Sequence, residues 1–246
     1  MSAVENDAPQ QHSRRRADTL VLSYLSIRRS LGTLGFLLPI LLGPVGWLAL
    51  GVDIQENMSS YYHTPLRDVF VGVLCAIGIF LFCYRGYDAV ENWTGKIACV
   101  SAIGIALCPL DPGSDPIRQS SVLGYLHTVF GGVFFLSLGA YSLYHFPRGN
   151  RILRVGTRGE KRDTIYRLTG LTIGGCLVAM GIHLFLLPEE PKAFLNRYGF
   201  TFWMEWVTVW AFAAAWLTKG HAILADYNDS DPLAQTAGNG TPPRRG

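Results

Sequence analysis

Six stretches of this chain carry apolar residues almost without interruption, at about 31–50, 65–84, 94–110, 122–145, 168–187 and 199–218. Each is near the ~20 residues that an α-helix needs to cross a bilayer. The pattern predicts an all-α, polytopic transmembrane bundle of six spans. Pro65 behind Thr64 reads as a first-turn proline behind its N-cap, which starts the second span. Pro109 and the run DPGSDP (111–116) end the third, the shortest of the six. Ahead of the first span, TLVLSYLSIRRS (19–30) is apolar only as far as Arg28 and Arg29, as suits a short interfacial helix. Residues 1–18 and 228–246 are polar and are expected as a disordered arm and tail around a membrane domain of 19–227. Arg14–Arg16 precede no small-residue cleavage site, so a removed leader is not expected.

Composition sharpens this picture. The chain is 49% hydrophobic and 16% charged, whereas soluble domains carry about 25% charged residues. The net charge of +3 is small, and the basic residues sit in loops rather than among exposed aromatics, so no nucleic-acid partner is expected. The five cysteines lie in or beside apolar runs without a CxxC pair, which argues against a disulfide framework or a cysteine zinc site.

Charge also sets orientation. Seventeen of the 21 Lys and Arg residues fall on the side of both termini; only Arg67, Arg118, Lys192 and Arg197 lie on the other. By the positive-inside rule both termini are cytoplasmic. The expected location is the plasma membrane of a bacterium.

With that topology, four ionisable residues on four spans share one depth. Asp68, His127, His183 and Glu205 all lie one to two turns below the outer surface, with His63 and Asp111 just above. Intramembrane ionisable groups are costly and face a bundle interior or a cavity. An outward-facing polar pocket is therefore expected. Three histidines with spare carboxylates are also what a catalytic zinc site needs. In that reading His63, His127 and His183 hold a zinc or similar divalent ion, and Asp68 or Glu205 takes a proton from metal-bound water. Ser59 assists, Arg67 holds an anionic head group, and the substrate is a lipid-like amide or ester. Two other readings stand beside it. One is a non-catalytic protein that binds or senses membrane lipids or assembles with partners, its polar residues paired locally as Asp68 with Arg67 or His127 with Glu205. The other is a small proton-coupled carrier.

The remaining features are structural in character. The turn at 83–96 carries Arg85, Asp88, Glu91 and Asn92 and stands to pair with Lys219 at the inner end of the sixth span. Trp203, Trp206 and Trp210 recur at helical spacing as an aromatic belt. GLTIG (170–174), Gly43 and Gly46 give helix faces that allow close approach, within the bundle or in a homo-oligomer.

Ser59, His63 and Asp68 form an S-x-x-x-H followed by an aspartate. This locally resembles the CREST membrane hydrolases, the superfamily of alkaline ceramidases and adiponectin-type receptors. That resemblance implies a zinc bound by three histidines, but the family's seven spans and C-terminal H-x-x-x-H are not found here. In size and span layout the whole chain resembles small six-span bacterial membrane proteins of the DUF998 and Frag1/DRAM kind. That resemblance implies an integral membrane protein and assigns no activity.

Overall fold

The computed structural model describes residues 7–113, 115–148 and 157–222. These residues are helical throughout their ordered elements, with no strand among them. In chain order the helices are α1 (Asp7–Ile40), α2 (Gly46–Leu50), α3 (Arg67–Cys83), α4 (Ala89–Leu107), α5 (Val122–Ala140), α6 (Thr157–Gly181), α7 (Glu189–Arg197) and α8 (Phe200–Lys219). A 3-10 turn, Met58–His63, precedes α3.

Among the described residues three helical rods are long and apolar enough to cross a membrane: Leu22–Leu50, Val122–Arg148 and Glu160–Leu186. The first of these corrects the expected boundaries. Residues 7–18 of the expected arm and the interfacial helix are not separate pieces, because α1 runs unbroken from Asp7 to Ile40, and residues 1–6 lie outside the described residues. Ala, Gln and Arg, good helix formers, dominate its first turns. Arg28 and Arg29 do not interrupt the rod, since the end of α8 absorbs both. Arg28 Nη1 donates to the Lys219 carbonyl at 3.3 Å and Arg29 Nε to the Gly220 carbonyl at 2.8 Å. The expected tail at 228–246 lies outside the described residues.

Each long rod contains a π-turn, at Leu41–Val45, Tyr141–His145 and Ile182–Leu186. Each has a proline within or just after it: Pro44, Pro147 and Pro188. Proline lacks the donor N–H and its ring clashes with the carbonyl four residues back. At Pro44 and Pro147 the wider turn shifts the bond one residue further, whereas at the third turn the chain leaves the helix at Leu187, before Pro188. Thus Phe146 N–H reaches the Tyr141 carbonyl, and Leu187 N–H the Ile182 carbonyl at 3.0 Å.

The long helices pack pairwise as α1 on α3, α3 on α4, α4 on α5, α5 on α6, α6 on α8 and α8 on α1. The six thus close into a ring with alternating directions. Glycines set the closest approaches. A Cβ at Gly32 would meet Leu217 Cγ at 2.6 Å, and one at Gly104 would meet the Phe130 ring at 2.3 Å. Gly43, Gly46 and Gly170 are likewise packed against side chains of the same chain, whereas Gly174 faces open space.

Short polar caps fix the connections. Asp88 Oδ1 accepts from Glu91 N–H at 2.8 Å and starts α4 ahead of the expected residue 94. Ser121 Oγ accepts from Gly124 N–H at 2.9 Å and starts α5. The connecting residues 51–66, 108–113 and 115–121 and helix α7 lie at one end of the ring, here the upper end. The turn at 84–88 and residue Gly220 lie at the lower end.

Candidate ligand cavity

The upper half of the ring encloses a cavity of about 290 Å³ lined from all six long helices. That is near the lower end of ligand pockets, roughly 300–1,000 Å³. Its body is apolar, with Phe70, Leu74, Phe134, Leu138, Met180 and Phe212 among the lining residues. Asn57, Ser59, His127, Thr128, Thr201 and Glu205 supply the polar part. The cavity exists partly because α5 presents Gly131 to it, where a Cβ would meet nothing within 4 Å.

Glu205 lies near the start of α8. Its Oε2 accepts from Met58 N–H at 2.7 Å. In the same junction, Phe202 N–H donates to the Glu56 carbonyl at 3.0 Å. Together they stitch the 55–58 segment onto α8. His127 is buried on α5 with Nδ1 2.6 Å from the Cys108 carbonyl. A carbonyl only accepts, so Nδ1 carries the proton and Nε2 of the neutral ring is an acceptor. Asn57 Oδ1 accepts from both Ser60 N–H and Ser60 Oγ, at 2.9 and 3.1 Å, and so caps the 3-10 turn. Thr128 donates to the Pro116 carbonyl.

The cavity therefore gathers three of the expected site residues, Ser59, His127 and Glu205. It does not gather the others. Asp68 and Arg67 form a surface ion pair at 3.4 Å with side chains 91% and 57% exposed. His63 is exposed, its Nε2 2.7 Å from the Leu110 carbonyl, and it ties the 3-10 turn to the loop after α4. His183 is buried against the Phe200 ring, its Nε2 2.8 Å from Asn196 Oδ1. His183 Nδ1 is buried without a partner.

A zinc held by three histidines needs their nitrogens near 2.1 Å from one point. Here each histidine is committed to a different partner. Among the described residues no group of three or more His, Cys, Asp or Glu is placed to hold a metal ion. The residues do not fit the zinc that the hydrolase resemblance implies. Nor does a base hydrogen-bond to Ser59 among the described residues. Of the local pairs expected from sequence, Arg67 with Asp68 forms. His127 and Glu205 each bond to main chain instead.

One feature of the upper end lies outside the six apolar stretches: the short helix α7, whose EEPKAFLNR carries acidic residues in the first turn and Arg197 in the last. It forms a lid with the 111–121 loop. Lys192 pairs with Asp115, both side chains largely buried, and Arg118 Nη2 pairs with Glu189 Oε1 at 2.6 Å. Pro116 and Ile117 of that loop line the cavity beneath. Asp111 anchors the loop. Its carboxylate accepts from Ser121 Oγ at 2.5 Å, Ser121 N–H at 2.9 Å, Ser120 N–H at 2.6 Å and Ser120 Oγ at 2.9 Å. Those bonds, led by the Ser121 hydroxyl, hold the Asp111 carboxyl far below the ordinary carboxylate range. Burial alone would push the Asp115 carboxyl up, but the Lys192 hydrogen bond and charge outweigh it and the net direction is down.

Comparison with protein-family models, with curated proteins and with solved structures found no match.

Proposed function

We propose that this is a six-span membrane protein with both termini in the cytoplasm, whose upper cavity binds one lipid-like amphiphile from the outer leaflet. The carrying observation is the shape and lining of the cavity: an apolar body inside the helix ring, with polar groups gathered toward one end. An acyl chain occupies the body, and a head group with hydroxyl or amide donors meets His127 Nε2 and the Glu205 carboxylate. Binding, rather than hydrolysis, is favoured because the histidines are separately engaged and Asp68 is on the surface.

The three shorter helices, α3, α4 and α8, have 17, 19 and 20 residues. In the ring α8 lies between two longer rods, and α3 and α4, side by side, each adjoin one, which supports reading all six as spans. The bias of 17 of 21 basic residues supports the orientation. The test is to delipidate the purified protein and titrate it with a fluorescent long-chain fatty acyl probe. Saturable binding of about one probe per chain supports the reading; non-saturable partitioning alone overturns it.

A further inference from the structure

The wall of the upper cavity is not equally sealed around the ring. On α1, α3, α4 and α8, Leu38, Phe70, Leu74, Ile105, Val209 and Phe212 all line the cavity and are all buried. On α5 and α6 the wall also has buried members, His127 and Met180 among them, but other lining residues reach the outside. Gly132 is exposed and Phe185, in the π-turn above α6, is 70% exposed. Gly131, Phe135, Leu177 and Gly181 are half-buried, and all six of these line the cavity.

The packing of these two helices accounts for the difference. Low in the ring they touch. A Cβ at Gly170 would meet Leu143 Cγ at 2.5 Å, and one at Gly139 would meet Ile173 Cγ2 at 3.5 Å. Continued upward, the same antiparallel register sets Phe135 opposite Leu177 and Gly131 opposite Gly181. There the space between the helices is not filled, since a Cβ at Gly131, Gly132 or Gly181 would meet nothing within 4 Å. Glycines at other junctions differ: Gly32 is tight against Leu217 on α8, and Gly104 against Phe130 on α5. The cleft between α5 and α6 is thus closed below and open above, with the cavity behind its open part.

The way out through the top is shut. Helix α7 is clamped to the loop that precedes α5 by the Lys192–Asp115 and Arg118–Glu189 pairs, and Pro116 and Ile117 of that loop cover the cavity. Size then gives the cleft an occupant. A cavity of about 290 Å³ is near the lower end of pockets for drug-sized ligands, roughly 300–1,000 Å³. A lipid with a full-length acyl chain outgrows it, so the end of the chain has to lie outside. Phe135, Leu177 and Phe185 offer that end an apolar surface at a depth where the surroundings are acyl chains rather than water.

We propose that the cleft between the upper halves of α5 and α6 is a lateral entrance to the cavity from the outer leaflet, and that the ligand is a long-chain membrane lipid whose chain end stays in that cleft. Gly131, Gly132 and Gly181 leave room for the chain. The assignment rests on the binding reading given above and narrows its ligand to a lipid delivered by the membrane, as opposed to a short amphiphile delivered from water.

The test reconstitutes the full chain in phosphatidylcholine vesicles with two photoreactive monopalmitoyl glycerols. One carries a diazirine at the far end of its chain and the other a diazirine beside the ester. Only label that excess unlabelled monopalmitoyl glycerol removes is counted. The chain-end probe is expected to mark residues 131–135 and 177–185, and the head-end probe the 57–59 turn and α8 around Glu205. This pattern needs no variant. In addition, Gly132→Leu is expected to slow the chase of bound probe by unlabelled lipid at least tenfold. Gly175→Leu, on α6 but outside the cavity lining, should chase like the wild type. Chain-end label confined to the α1 and α3 walls would overturn the entrance and leave the binding reading standing. Equal chase rates in wild type and Gly132→Leu would do the same. No competed label from either probe would overturn both.

Discussion

Glu205 Oε2 accepts the Met58 N–H at 2.7 Å and so joins α8 to the turn at the polar end of the cavity. The carboxylate has two tasks at that point. It satisfies a main-chain donor, and it presents acceptor surface to the cavity it lines. A residue that looks from sequence like a proton carrier is in place a structural clasp with a face toward the cavity.

The two tasks separate by mutation. Glu205→Gln keeps an acceptor oxygen and should change unfolding stability little. Glu205→Leu leaves the Met58 N–H unsatisfied and should cost about 1–3 kcal/mol. Denaturation in a fixed detergent compares them, and equal stability of the two variants would show that the Met58 bond carries no weight.

The lid pairs should differ in strength although both join the same two elements. Lys192 and Asp115 have side chains 7% and 17% exposed, against 71% for both Arg118 and Glu189. Removing one partner of a buried pair costs about 3–5 kcal/mol, so Lys192→Met should be strongly destabilising. Arg118→Gln should cost at most about 1 kcal/mol. Thermal unfolding of the two single variants decides it, and Asp115→Leu added to Lys192→Met should restore part of the loss.

The acid limb of stability should depend on Asp111. Its carboxyl is held below the ordinary 3.8 by bonds from Ser120 and Ser121. A depressed folded-state value means that its contribution is fully present above the ordinary value and is lost as pH falls below it toward the folded value. Asp115, also depressed, acts in the same direction. Asp111→Asn should therefore flatten the fall in melting temperature below about pH 4. An unchanged acid limb in that variant would contradict the assignment.

Much of the fold was legible because long apolar runs and proline breaks are local signals. Pro109, read as ending the third span, sits two residues past the end of α4 at Leu107, whereas the caps Asp88 and Ser121 show themselves only in the structure. The misread first rod has a non-local cause. Arg28 and Arg29 look like a break until the end of α8 supplies carbonyls and Tyr24 and Tyr84 supply ring faces.

The site was half legible for a similar reason. Sequence position gives depth along a helix, and by depth His127, His183 and Glu205 belong together. Rotation about the helix axis decides what each side chain meets. It turns His127 to the cavity and His183 to Asn196 on α7, an element outside the six apolar stretches. At the lower end Lys219 meets the 83–96 turn through the Tyr87 ring instead of a carboxylate, and Glu91 accepts from Tyr84 OH and Tyr87 N–H. Tyr24, Tyr84, Tyr141 and Trp216 gather there from far apart in the chain, and each alone resembles an interfacial aromatic.

The central claim is that the upper cavity holds a ligand, and Gly131 offers the most direct test. A side chain there enters the cavity without meeting a neighbour within 4 Å at its Cβ. Replacing a helical glycine also removes a cost of roughly 0.5–1 kcal/mol. Native mass spectrometry should be run on gently purified wild type and Gly131→Leu, with melting temperatures measured alongside. The account predicts one lipid-sized adduct on the wild type, and its loss from a Gly131→Leu variant that melts no lower. The same adduct at the same occupancy on both proteins, or none on the wild type, would contradict it.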